Sequence, residues 1–489
     1  MKEGKYRYLF HNMALFTISS FVSKVLVFCL VPFYTAVLTE AQYGIADVMQ
    51  TTLLLLVPLL SMNAGESALR FGLDHTEDRD RILLFGLKKV IRSIIIVVTV
   101  CVLTALYLNT ELPRPVFMSG RSLPVILLLF AVLYTCDSLY EFMLLYCQGT
   151  EQVQIMITGS VSCTLFVILS NLFLLLVLQL ELLGYLLAQM IAFTGSFLIM
   201  FLLIGGREQL KSAIQREKSR ADNDILEKEV TEYGASMLLY STASWVNNAI
   251  DRYYILLMLG AVQNGLYGAA YKIPAILQTI QRIFAQAWQM SAVKEYKGED
   301  REKFFSDMYR TYEAVLVMGC AGIILFLKVI ASILFQKGFY EAWILVPPLL
   351  VSVIFGALEG FLGSIALAFR DGKSMGRATG IGAVVNVILN YFGIMRFNTF
   401  GAALATLCSY FVMFALAFLF VRKHVKLKVN IVRDAVALML LVIESLMVIF
   451  NMKNYFWWNT GIVIILLLLF RGEAMMVIGK FIKRRQDAD

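Results

Sequence analysis

Histidine is almost missing from this chain, with three in 489 residues. His11, His75 and His424 stand near predicted helix ends and far apart, so no histidine-built metal centre is expected. The seven cysteines form no CxxC pair and lie in or beside apolar runs. They suit the role of small core hydrophobes better than that of disulfide partners or metal ligands. There is no Walker phosphate loop, no HExxH, and no sizeable polar domain that could bind nucleotide, so no enzyme is expected. Strands of about ten residues with alternating polarity, the mark of a membrane barrel, are also lacking. After the basic start MKEGKYRYLFHN, no small-residue cleavage site follows the apolar run from Met13 to Leu38. That run is expected to be a permanent helix and not a removed signal peptide.

What fills the chain instead is hydrocarbon. Hydrophobic residues make up 59% of the sequence and the mean hydropathy is +0.73. From Leu9 to Ile478 about 14 apolar stretches follow one another, each close to the roughly 20 residues that a bilayer-spanning helix needs. In lipid only helices or closed barrels satisfy their own backbones. The fold class expected is therefore all-α, a polytopic membrane protein of about 14 transmembrane helices.

The helices are placed near 10–36, 46–68, 82–108, 122–147, 155–178 and 181–204, then 233–258, 264–292, 307–333, 343–369, 376–396 and 399–421, and finally 431–450 and 456–478. The two groups of six look like copies. Leu38-Thr-Glu-Ala-Gln42-Tyr-Gly44 matches Leu259-Gly-Ala-Val-Gln263-Asn-Gly265, and Glu77-Asp78-Arg79-Asp80 matches Glu299-Asp300-Arg301-Glu302 at nearly the same offset. Six is even, so both copies enter the membrane from the same side and form a parallel repeat, a recurrent plan of secondary transporters. The domains expected are an N-terminal lobe at 1–206, a cytoplasmic linker at 207–232, a C-terminal lobe at 233–424, and two peripheral helices with a cytoplasmic tail at 425–489.

A net charge of +8 raises the question of nucleic acid, and the placement of the charges argues against it. About 33 of the 43 lysines and arginines fall at the two ends and in the loops of one side, as the positive-inside rule requires. Both termini are expected to be cytoplasmic. Five cations remain within or against apolar stretches: Lys24, Arg252, Lys272, Arg282 and Lys328. Intramembrane charge is costly and marks function by default. Lys328 lies near a helix end, where it would snorkel.

Polar side chains recur on single helix faces. On the seventh helix Tyr240, Ser244, Asn247 and Asp251 follow steps of three and four, beside Asn248 and Arg252. The eighth carries Tyr267, Tyr271, Gln278 and Arg282, with Lys272 adjoining. The eleventh carries Asn386 and Asn390, and the second Asp47 and Gln50. Such faces meet protein or water, not lipid, and they suggest a hydrated cavity shared by the two copies. The buried cations would form an anion site, since Arg and Lys bind phosphate by charge-assisted hydrogen bonds. The competing role is structural, in pairs with Asp47, Asp251, Asp137, Glu141 or Glu359. Asp137 and Glu141, one turn apart, would share a proton or bind a cation, or pack against a polar neighbour. Glu444 on the thirteenth helix has no evident partner.

These residues carry a family resemblance. Asn12, Phe16, Ser23-Lys24, Pro32, Leu38-Thr39 and Tyr43-Gly44 open the pattern. Asp251-Arg252-Tyr253, Gly265-Leu266-Tyr267, Lys272-Ile273-Pro274, Ala287-Trp288, Asn386, Asn390 and Gly401-Ala402-Ala403-Leu404-Ala405-Thr406 continue it. The chain resembles the polysaccharide transporter (Wzx-type) flippases of the multidrug/oligosaccharidyl-lipid/polysaccharide (MOP) exporter superfamily over nearly its whole length. The resemblance implies two six-helix lobes with two peripheral helices, in the bacterial cytoplasmic (inner) membrane. It implies movement of undecaprenyl-pyrophosphate-linked oligosaccharide to the outer leaflet by alternating access, for capsule or O-antigen. Lys24 and Arg252, with Arg282 and Lys272, would hold the diphosphate. Asp47, Asp251 or the Asp137/Glu141 pair would couple transport to H+, Na+ or membrane potential; no other cofactor is implied. The implied partners are the lipid-linked glycan, membrane lipids, and the polymerase and glycosyltransferases of the same pathway. Competing functions are a lipid II flippase, a multidrug cation antiporter and a membrane glycan polymerase.

Overall fold

The computed structural model describes residues 28–74, 78–111, 123–217 and 223–473, and among these there is no strand. The first expected helix therefore falls mostly outside the described residues, as do the loop near 112–122 and the end of the last helix. Thirteen of the fourteen expected segments correspond to helices or helix pairs within the described residues. The chain divides into two compact units. One holds the described residues up to Trp245 with Gly260–Gly265, and the other holds Val246–Leu259 with the described residues from Leu266 onward.

The first unit begins with α1 (Val31–Val37), α2 (Glu40–Leu60), α3 (Ala64–Asp74), α4 (Arg79–Glu111) and α5 (Leu123–Gly149). It continues with α6 (Val153–Asn171), drawn out by a wider turn at Leu172–Val177, then α7 (Glu181–Leu203) and α8 (Gly206–Glu217). Thr39 explains why α2 starts where it does. Its hydroxyl accepts from Gln42 N at 3.3 Å, and Gln42 Oε1 accepts from Thr39 N at 3.0 Å. This capping box satisfies backbone donors that the helix itself leaves unpaired, so α2 begins at Glu40 and Asp47 falls in its second turn.

α8 lies within the charged segment between the two copies, and it is docked. Ala213 is fully buried, and Ser212 Oγ donates to Asp80 Oδ2 at 2.8 Å. Tyr146 on α5 donates to Gln209 Oε1 at 2.7 Å. α9 (Asn223–Leu259) then runs unbroken for 37 residues, and the division between the two compact units falls inside it. Its first part docks on α2 and the turn after it. Trp245 Nε1 donates to the Thr51 carbonyl at 2.8 Å, and Asn63 Nδ2 donates to the Gly234 carbonyl at 3.1 Å.

The two repeat motifs sit at equivalent places. Each spans a break between helices, α1 to α2 at Leu38-Thr39 and α9 to α10 (Ala261–Ala270) at Gly260, where φ is +91°. The two also touch. A Cβ added to Gly44 would strike the Ala261 carbonyl oxygen, and one added to Gly265 would strike that of Glu40. Asn264 Nδ2 closes the junction by donating to the Gly44 carbonyl at 2.9 Å. Small residues allow this backbone approach within membranes. The second matched motif behaves the same way, since Arg79 opens α4 and Arg301 opens α12 (Arg301–Leu325).

The second unit contains α11 (Pro274–Glu295), α12, α13 (Leu327–Leu334), a 3₁₀ segment at Lys337–Leu345 and α14 (Val346–Ala368). Stacked rings lock α11, α12 and α14 together: Trp288 on Phe361 at 4.1 Å and Phe284 on Tyr312 at 4.0 Å. α15 (Gly372–Val421) turns back at Asn398, whose φ of 53° and ψ of −142° break the helix into the two expected spans. Asp371 caps α15 by accepting from Ser374 N at 3.2 Å and bonds His424 Nε2 at 2.9 Å across the hairpin. Those two hydrogen bonds hold its carboxyl below the usual carboxylate range. α16 (Ile431–Ile449) and α17 (Tyr455–Leu469) are fastened through Arg433, which pairs with Glu313 at 3.3 Å, Asp434 at 2.9 Å and Glu473 at 2.5 Å. Eight described helices are long and apolar enough to cross a membrane. α9 and α11 are not among them, because their apolar stretches carry the polar faces that the sequence exposed.

Candidate functional site

Two polar clusters stand out, one in each unit. In the second unit, Asp251 on α9 is the centre. Its side chain is 2% exposed. Tyr267 donates its hydroxyl to Asp251 Oδ2, and Thr406 Oγ1 on α15 lies 3.4 Å from the same oxygen. Arg252 is turned back onto its own helix. Its backbone N–H donates to Asp251 Oδ1 at 2.9 Å, and its guanidinium reaches the same oxygen at 3.4 Å and the Asn248 carbonyl at 2.9 Å. The guanidinium also lies over the Tyr271 ring, 4.6 Å from its centre. An ion pair so shielded must be fully hydrogen-bonded to persist, and this one is supplied by α9, α10 and α15 together.

Of the other expected residues, Asn247 and Asn248 lie one turn before that pair on α9. Asn248 Oδ1 accepts from Tyr410 at 2.7 Å, and Asn247 donates to the Thr379 carbonyl at 3.2 Å. Asn386 and Asn390 are brought together: Asn390 Nδ2 donates to Asn386 Oδ1 at 3.0 Å, and Asn386 Nδ2 donates to Ser409 Oγ at 3.1 Å. On α11, Arg282 is exposed and makes no hydrogen bond or ion pair among the described residues. Lys272 and Gln278 are half-buried nearby in sequence. Lys328 behaves as a helix-end lysine should, donating to Asn451 Oδ1 at 2.6 Å between the Trp343 and Tyr455 rings. Lys24 lies outside the described residues, and so does the side chain of Tyr240.

In the first unit, Glu141 lines a small pocket with Ser61, Asn63, Glu66 and Ser138. Glu66 on α3 thus faces Glu141 on α5, with Asp137 one turn away. Two facing carboxylates disfavour double ionisation, so the pocket suits a shared proton or a monovalent cation. No group of three or more metal-ligating acids, histidines or cysteines occurs among the described residues. Asp47 on α2 is half-buried, and Gln50 on the same helix donates to the Tyr185 hydroxyl at 2.9 Å.

The partners that sequence periodicity did not single out are Glu66, Thr406 and Tyr410. A signal was present: Thr406, Ser409 and Tyr410 follow steps of three and four on one helix face, and Glu66 stands in a polar stretch with Asn63 and Ser67, but the side chains they meet come from other helices.

Among known proteins, a family model described as "Polysaccharide biosynthesis protein" matches residues 9–289, more than half the chain. Comparison with curated proteins finds no significant match. Solved structures share the fold. An inward-facing multidrug resistance MATE family transporter of the MOP superfamily superposes with a TM-score of 0.66 at 11% identity, covering 82% of this chain and 94% of its own. The lipid II flippase MurJ, in an inward closed conformation, gives 0.63 at 13% identity over 96% of this chain and 100% of its own. A MOP superfamily transporter from Pyrococcus furiosus gives 0.57 at 15% identity, covering 84% and 95%. The protein is a multi-pass membrane protein of the polysaccharide biosynthesis family, with the fold of MOP superfamily transporters.

Proposed function

We propose that the protein flips undecaprenyl-pyrophosphate-linked oligosaccharide units from the inner to the outer leaflet of the bacterial cytoplasmic membrane, by alternating access. The product feeds a cell-surface polysaccharide such as capsule or O-antigen, and both termini are cytoplasmic. The observation that carries this reading is membership of the polysaccharide biosynthesis family. The polar face that runs along α9 within a span supports it, since such a face has no use in lipid.

The diphosphate needs cations that are not already spent. Arg252 is paired with Asp251, so its charge is partly consumed at rest. Arg282, exposed and unengaged among the described residues, is the first contact for the anionic head group, and Lys24, Lys272 and Arg252 are the further candidates once the head group competes for them. Asp251, hydrogen-bonded by two hydroxyls, or the Glu66/Glu141 pocket with Asp137, takes the coupling H+ or Na+. Asp47 is the remaining coupling candidate. The polymerase and glycosyltransferases of the pathway are the protein partners.

A lipid II flippase is the second reading, favoured by the fold likeness to MurJ over 96% of the chain. Reconstitution in liposomes separates the two. Protein-dependent translocation of fluorescent undecaprenyl-pyrophosphate-oligosaccharide, lost in Arg282→Ala, is the expected result. Translocation of lipid II alone would replace this reading with the second.

A further inference from the structure

Glu444 stands about three-quarters of the way along α16, and its side chain is fully buried at 0% exposure. Neither of its carboxyl oxygens has a hydrogen-bond partner among the described residues. The other buried acids of this unit are served: Asp251 by Tyr267 and Arg252, Glu313 by Arg433. Glu444 is the exception.

Its surroundings come from the helices packed against α16. α17 brings Asn459, also 0% exposed, whose Nδ2 donates to the Glu444 backbone carbonyl at 3.4 Å. The Oδ1 of Asn459 is a second orphan, a buried acceptor with no donor. α12 brings Cys320, fully buried and within electrostatic reach of Glu444. The charged groups of α16 itself, Arg433 and Asp434, are engaged with Glu313 and Glu473 at the far end of the helix. α14 contributes only one acid, Glu359, and no cation faces Glu444 from α12, α14 or α17 among the described residues.

A bare carboxylate in such a place has nothing to repay its desolvation, and a group in that position neutralises instead. Protonation supplies the missing element, because a carboxylic acid has an O–H donor, and Asn459, which already bonds the backbone carbonyl of Glu444, carries an orphaned acceptor. We propose that Glu444 is a proton-binding site of the C-terminal helix pair, distinct from the Asp251 and Glu141 clusters, with Asn459 Oδ1 as the acceptor for its acidic hydrogen. The site takes a single proton and no phosphate or sugar.

The test uses the full chain in lipid nanodiscs without substrate, read by infrared spectroscopy as the difference between wild type and Glu444→Gln at pH 7. The expected difference contains the carbonyl stretch of an un-ionised carboxyl, lost in the variant. Carboxylate bands in its place would overturn the proposal, and a melting temperature that also rises with sodium would assign the site to a cation. Should Glu444→Gln not fold, the wild type alone decides through a hydrophobic carbodiimide. That reagent adds a protonated carboxyl across one C=N bond: the acid oxygen joins the central carbon and the proton goes to nitrogen. The acyl group then shifts to nitrogen, and nothing leaves. Peptide mapping is expected to find the adduct on Glu444 at pH 7, with loss of labelling as pH rises. No adduct on Glu444 would overturn the proposal.

Discussion

Replacing Arg252 by alanine tests whether that residue is a clamp for substrate or a brace for Asp251. The guanidinium is 11% exposed and its carboxylate partner 2% exposed. Removing one member of a buried ion pair leaves the other charge uncompensated, at a cost of about 3–5 kcal/mol. The lost stacking over Tyr271 adds about 0.5–2 kcal/mol. Arg252→Ala is therefore expected to lower thermal stability in detergent markedly, before any effect on export is considered. Asp251→Asn keeps the shape, removes the stranded charge and can still accept from Tyr267. The double variant Arg252→Ala/Asp251→Asn should thus recover most of the lost stability. A double-mutant cycle on melting in one detergent supplies the coupling energy. Restored stability with transport absent in the double variant but present in Asp251→Asn alone would assign Arg252 a direct part in the cycle. A stable, transport-dead Arg252→Ala single variant would refute the bracing argument altogether.

Other outcomes follow from the same geometry. Arg282→Ala is expected to leave melting within about 0.5 kcal/mol of wild type, as for exposed substitutions, while abolishing liposome translocation; full translocation would remove it from the anion site. Gly44→Ala and Gly265→Ala should each cost about 1–3 kcal/mol by overpacking against backbone, and a neutral result in either would show that the junction yields. Asp371 has a lowered carboxyl pKa, so its bonds stabilise the fold above the unfolded value of about 4 and are lost as pH falls through the folded one. The melting difference between wild type and Asp371→Asn should accordingly be present at pH 7 and vanish in acid; a difference that grew on acidification would reverse the sign.

Apolar length and the charges between spans made the helices readable, because a bilayer imposes a single rule on every span. The turn at Asn398 was legible as a gap between two apolar runs, though not as a single left-handed residue joining two spans. Asp251, Asn247 and Asn248 were visible because three- and four-residue steps put them on one face of α9. What they bond was not visible, since Thr406 and Tyr410 come from a helix more than 150 residues away. The repulsive pairing of Glu66 with Glu141 was hidden for the same reason. Periodicity reports which face is polar, while the partner across it is set by packing. The charged stretch after α7 read as a linker, yet α8 is pinned by Gln209 and Ser212, short polar contacts that composition does not reveal.

The contact between the two repeat motifs has the form of a homodimer interface. Gly44 meets Ala261 while Gly265 meets Glu40, so residue i touches j and the equivalent of i touches the equivalent of j. That is the isologous pattern that two-fold symmetry forces on identical subunits. Here both halves belong to one polypeptide, which frees them to diverge. One junction is fixed by the capping box of Thr39 and Gln42, and the other by the left-handed backbone of Gly260. In a true dimer every change would be felt twice across the axis. In the fused chain each copy of the motif carries its own mutations, and the two helix junctions can become unlike while the contact between them is kept.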